Sequence, residues 1–194
     1  MKNKLFLLIL FSFTLAGCSV FYPLNTQIDE FKHSRKTTLE IGATSSEHFG
    51  SNAVSTSIVF EKCNSESGEI LNAYFVLNRN SSSFKLENEC FMKASGKSYQ
   101  INIENQETEY KSRLESKTEA TSVKDSAKVK TESKTVSNTE NWYEEKFIIR
   151  FTPEMIESLK QTDELIFRFY LGPKQATFKF TNYRLQRLKK LAIM

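Results

Sequence analysis

Apolar and polar residues alternate with a period of two along much of this chain, the spacing of strands that bury one face. Ser57-Ile58-Val59-Phe60 and Ala73-Tyr74-Phe75-Val76-Leu77 are β-branched or aromatic runs separated by the turn-rich Asn64-Ser65-Glu66-Ser67-Gly68, which predicts a hairpin or neighbouring strands. Phe84-Lys85-Leu86 and Cys90-Phe91-Met92 lead to Ala94-Ser95-Gly96-Lys97, and Tyr99-Gln100-Ile101-Asn102-Ile103 alternates beyond it. Glycine enters positive φ without steric cost, so a second hairpin is expected to turn at Ser95-Gly96.

The C-terminal part repeats the pattern and interrupts it once with a helix. Phe147, Ile149 and Phe151 share a face, and Thr152-Pro153-Glu154 supplies an N-cap, a proline at the first helical position and an acidic first turn. A short helix is predicted from Pro153 to about Gln161, with Met155, Ile156 and Leu159 on its inner stripe. Leu165, Phe167 and Phe169 then point one way, as do Phe178 and Phe180, on two strands flanking the turn Gly172-Pro173-Lys174-Gln175. Thr181 is placed to cap a last helix with Leu185, Leu188 and Leu191 inward and Arg184, Arg187, Lys189 and Lys190 outward. Four cations on a short helix are within the range of an ordinary solvated face, so no membrane role is assigned to it.

Residues 105–141 break the pattern. They hold seven basic and seven acidic residues, twelve Ser or Thr, and neither Gly nor Pro. Such a stretch buries little and is open to disorder. Glu107/Lys111 and Glu109/Arg113 also suit a charged helix, although the Ser/Thr content opposes one. The preferred reading is a long polar β-hairpin arm folding near Ser126, with Val123 opposite Val129 and Thr121 opposite Thr131. Tyr110, Trp142 and Tyr143 fall at its base, either as a recognition surface or as cross-strand pairs that stabilise the hairpin. The fold class expected is mainly β: an antiparallel β-sandwich with one or two short helices near the C-terminus and a protruding polar arm.

The first residues belong to a different physical regime. Lys2 and Lys4 precede an apolar run over 5–15, too short for a bilayer core of about 30 Å, which takes about 20 apolar residues. Leu15-Ala16-Gly17-Cys18 resembles the lipobox of bacterial lipoproteins. The resemblance covers only the first 18 to 20 residues. It implies cleavage before Cys18 and acylation of that thiol, and one acyl chain alone holds a protein on a bilayer only marginally, whereas two or more hold it firmly. Ser19, rather than Asp, follows the cysteine, which the resemblance links to the outer membrane in a bacterium with two membranes. The expected organisation is a removed signal peptide over 1–17, a lipidated tether over 18–30, and a single β-rich domain over 31–194 with the polar insertion 105–141.

Removing 1–17 from the 194 residues leaves 177, one domain by size, and loss of Lys2 and Lys4 takes the formal charge from +4 to +2. That balance excludes the footprint of a nucleic-acid binder. With Cys18 acylated, Cys63 and Cys90 remain as an even pair in an exported compartment and are expected to form a disulfide. His33 and His48 are the only histidines, and no HExxH, GxSxG, P-loop or GxGxxG pattern accompanies them, so neither a metal nor another cofactor is expected. The expected function is a membrane-anchored envelope lipoprotein acting as a non-catalytic binding or scaffolding module. Its partners are the bilayer, through Cys18, and an envelope protein or glycan. The alternative is an envelope hydrolase whose Ser-His-Asp site assembles only in space.

Overall fold

The computed structural model describes residues 22–49, 52–65, 68–80, 84–125 and 128–194, and within them the side chains of all but 48–49, 52–53, 117, 119–125, 128–134 and 136. The leader and Cys18 lie outside the described residues. Among the described residues ten strands follow in order: β1 (Leu24–Asp29), β2 (Ser34–Phe49), β3 (Asn52–Ser65), β4 (Gly68–Asn80), β5 (Leu86–Ala94), β6 (Lys97–Asn102), β7 (Glu104–Asp125), β8 (Lys128–Arg150), β9 (Leu165–Leu171) and β10 (Lys174–Phe180). Helix α1 (Pro153–Gln161) separates β8 from β9, and α2 (Asn182–Ile193) ends the chain. All strand pairings are antiparallel. One sheet has the order β1-β2-β3-β4-β8-β7, the other β10-β9-β5-β6, and together they form a β-sandwich.

The alternation that predicted strands also sets the core. Along β4 every second residue is buried from Leu71 to Arg79, and Phe75 of β4 stacks on Phe147 of β8 with ring centroids 5.0 Å apart. Phe167 and Phe169 of β9 each meet Phe75 edge-on at 5.3 Å. Offset and edge-to-face contacts suit the ring quadrupoles, so this cluster joins the two sheets at their centre.

The local signals hold where they were strongest. Thr152 caps α1, its hydroxyl oxygen accepting from the Met155 amide at 3.3 Å, and Met155, Ile156 and Leu159 are buried. The β5–β6 hairpin turns at Ser95 and Gly96, whose φ values are 49° and 76°, and Ser95 ties the turn to α1 by donating its amide to Thr162 Oγ1 at 2.9 Å. The β9–β10 turn is tighter than expected, with β10 already begun at Lys174. Gly172 there has φ 59°, and a Cβ on it would lie 2.8 Å from Phe84 Cγ, so only glycine fits. Leu185, Leu188 and Leu191 of α2 are inward as read, but Thr181 makes no side-chain cap bond.

Three expectations are corrected. The tether drawn over 18–30 ends earlier, because Leu24–Asp29 is an edge strand paired with β2 from Leu24↔Leu39 to Asp29↔Ser34. The Cys63–Cys90 disulfide is not formed: both are free thiols. On β3 the even positions Ile58, Phe60 and Lys62 are buried, so Cys63 faces outward beside Glu61, while Cys90 faces the core from the other sheet. The backbone of β3 therefore lies between the two thiols. The third correction concerns the register of the arm. The arm forms as a hairpin, but Val123 opposes Lys130 and Thr121 opposes Glu132. Asp125 pairs with Lys128, the spacing of a two-residue connection, which moves the fold point half a residue beyond Ser126.

The two thiols should behave differently. Burial pushes Cys90 up to about 12, and burial together with the neighbouring Glu61 carboxylate raises Cys63 above the usual thiol range. Between pH 9 and 12 the unfolded chain loses its Cys90 proton while the native chain keeps it, so stability falls with rising pH by up to about 1.4 kcal/mol per unit. Denaturant titrations at pH 8 and pH 10.5 should show that slope, and Cys90→Ala should reduce it to the smaller part that Cys63 contributes. In native protein a thiol reagent should modify Cys63 first and reach Cys90 only on unfolding.

Candidate functional site

The arm is the continuation of β7 and β8 past the last pair that β8 makes with β4, Asn80 with Trp142, and its root is built on a buried charge pair. Glu145 alternates inward with Phe147 and Ile149 on β8, and Arg79 does so with Leu77 and Phe75 on β4. Glu145 is 0% exposed and Arg79 5%. Arg79 donates from Nε at 2.8 Å and approaches from Nη2 at 2.7 Å, both to Glu145 Oε1. The second carboxylate oxygen accepts from Thr108 Oγ1 at 2.6 Å. The guanidinium also lies 4.3 Å from the Tyr143 ring centroid, a cation–π contact. A desolvated ion pair is stable only when its remaining lone pairs and protons find partners, and Thr108 and Tyr143 of the arm supply them here.

Of the three aromatic residues expected at the base, the structure brings together two. Tyr110 and Tyr143 are directly opposite and meet edge-on at 5.3 Å. Trp142 is on the other face, opposite Lys111 and beside Asn80. Adjacent residues of a strand point to opposite faces, so Trp142 and Tyr143 could never have shared one.

The register of the arm sorts its side chains by charge. Even positions of β7 oppose odd positions of β8. On one face the described side chains run Tyr110, Ser112, Leu114, Ser116 and Thr118 along β7, against Tyr143, Asn141, Thr139, Ser137 and Thr135 along β8. None is ionisable at neutral pH, and Tyr110 and Leu114 are exposed. The opposite face carries ion pairs: Arg113 with Glu115 and Glu140, and Glu109 with Lys111 and Lys146. The two lysines hold the half-buried Glu109 carboxyl down to about 2, through hydrogen bonds to both oxygens. A shift of register by one residue would have mixed charged and uncharged side chains on both faces. The result is a two-sided ribbon, ionic on one side and hydroxyl-rich with two tyrosines on the other. The described side chains of that second face can stack and hydrogen-bond.

The remaining candidates stand apart from this site. His33 lies in the exposed β1–β2 turn at φ 45°, and the His48 side chain is outside the described ones. Among the described residues no group of three or more His, Cys, Asp or Glu is placed to hold a metal, and no helix is long and apolar enough to cross a membrane. Arg79, Glu145 and Thr108 were missed by the sequence reading. The available signal was a charge at an inward position on two strands, Leu77-x-Arg79 and Glu145-x-Phe147. No family model matches the chain, and neither the curated proteins nor the solved structures contain a significant match to it.

Proposed function

We propose that this chain is a bacterial envelope lipoprotein, held on a membrane through acylated Cys18, that acts as a non-catalytic binding or scaffolding module and presents the β7–β8 arm to an envelope protein or glycan. In a bacterium with two membranes the site is the outer membrane. The observation that carries the reading is the arm itself. An isolated two-stranded ribbon is at best marginally stable in water, and the described side chains of the outer ribbon, from Ser112 to Thr118 and from Thr135 to Asn141, include no buried apolar residue. Its root is nevertheless clamped into the core by Arg79 and Glu145, and its faces are sorted by charge. A segment that contributes so little to the core and is still built so regularly is best accounted for by a surface that it meets.

The anchor is tested first. Intact mass of the membrane fraction should show cleavage before Cys18 and added acyl mass, and Cys18→Ala should remove both. A soluble, unmodified protein beginning elsewhere would reject the anchored reading. The binding role is tested by affinity capture from the native envelope with the intact and the arm-shortened protein side by side.

A further inference from the structure

The described chain begins at Tyr22, and that residue is held on α2. Its hydroxyl accepts from Arg184 Nε at 3.1 Å and its backbone carbonyl from Arg187 Nε at 2.8 Å. Its ring lies 6.2 Å from that of Tyr183. Only Ser19, Val20 and Phe21 separate it from Cys18, and even a fully extended chain spans no more than about 3.6 Å per residue, so the acylated residue lies within about 14 Å of Tyr22. The helix so reached is 12 residues long and contains four cations and no acidic residue; Lys189 has Asp163 at 3.9 Å.

Lys190 stands in the last turn, where the macrodipole favours a cation, but Arg184 does not serve the helix in this way. Arg184 stands in the first turn, which has no acidic residue and no side-chain cap bond. The macrodipole there favours negative charge and disfavours an arginine. Arg184 is held there by the Tyr22 hydroxyl, while a helix with four cations and no acidic residue is complementary to an anionic surface. Tyr183 and Ile193 are exposed on the same helix, at 39% and 69%, and amphipathic aromatic and apolar side chains of this kind settle at a headgroup boundary.

We propose that the outer face of α2 lies against the anionic headgroups of the bilayer that holds the acyl chains of Cys18, with Arg187 and Lys190 toward the lipid phosphates and Tyr183 and Ile193 at the interface. The inference rests on the acylation of Cys18 and adds an orientation to it: the short tether permits the domain to approach the membrane through this helix. The lipid chains supply attachment, and the helix fixes which side faces the lipid.

The test uses the full protein purified from membranes, with its acyl mass verified. It is placed on vesicles of phosphatidylglycerol mixed with phosphatidylcholine, on phosphatidylcholine vesicles, and in detergent micelles. Reaction of Lys190 with a water-soluble amine reagent is followed by peptide mass. A single basic side chain near an anionic surface gains roughly a fivefold preference for it, so labelling on the mixed vesicles should fall at least about fivefold relative to micelles, and less on phosphatidylcholine. Gln186→Glu with Ile193→Glu, two exposed positions, should restore most of the reactivity. An acylated protein whose Lys190 reacts equally in all three settings, or whose protection survives the double substitution, overturns the orientation and leaves the anchor standing. Absence of acyl mass overturns both.

Discussion

Glu145→Gln should lower the stability of the domain by about 3–5 kcal/mol, the range found when one partner of a buried ion pair is removed. For a domain of this size that corresponds to a fall in Tm of roughly 10 °C. The reason is the charge left behind. Arg79 is 5% exposed and its Nε and Nη2 both bond Glu145 Oε1, so the neutral amide removes the carboxylate charge that offsets a guanidinium held out of water. Thr108 loses its charged acceptor at the same time. Glu115→Gln, in a surface ion pair with Arg113, should cost well under about 1 kcal/mol. Arg79→Met combined with Glu145→Leu should recover most of the loss, since an apolar pair of similar volume often equals or exceeds a buried ion pair. Denaturant titration of the four proteins measures these differences. A loss from Glu145→Gln no greater than that from Glu115→Gln would mean that the pair is hydrated in solution and does not clamp the arm.

Excising the outer arm should leave the sandwich folded and abolish the binding assigned to it. The cut follows from the register: Leu114 pairs with Thr139, and Arg113 with Glu140. Replacing residues 114–139 with Asn-Gly closes the ribbon on Arg113 and Glu140, an even number of residues back from the native closing pair Asp125 and Lys128. The alternation of hydrogen-bonded and open pairs is therefore kept, and the new turn meets the strands in the phase that a two-residue connection needs. Tyr110, Tyr143, Thr108 and Glu145 all remain. The excised part offers Leu114, three valines and two alanines as its apolar residues, and Leu114 is 68% exposed. Tm should move by no more than a few degrees, while capture of an envelope partner should fall at least tenfold. Loss of cooperative melting would show that the arm is part of the domain's own support. Undiminished capture would move recognition to another surface.

Much of the architecture was legible because local rules decide it. Helix α1 follows from Thr152, Pro153 and one apolar stripe, the β5–β6 turn from Ser95-Gly96, and the β9–β10 hairpin from an alternation of phenylalanines bounded by Gly172. Each is settled by residues within a few positions of one another. Strand β2 was overlooked, although Leu39, Ile41 and Ala43 alternate inward along it. Its Thr, Ser and Glu residues weaken a hydrophobic signal that is sufficient only once a neighbouring strand covers it.

The candidate site divides in the same way. That Trp142 and Tyr143 face opposite sides follows from their adjacency alone, and a two-residue turn at the arm tip would have placed Tyr110 opposite Tyr143. What the chain by itself determined about this protein was therefore a set of strands, two helices, a polar arm and a cysteine in a lipobox-like run. Only the tertiary structure decided that Arg79 and Glu145 neutralise each other at the root of that arm, that Cys63 faces outward while Cys90 faces the core, and that Tyr22 is seated on Arg184 and Arg187. These pairings join residues far apart in sequence. Many alternative partners satisfy the same local chemistry, and the choice among them is made by packing whole sheets and helices against each other.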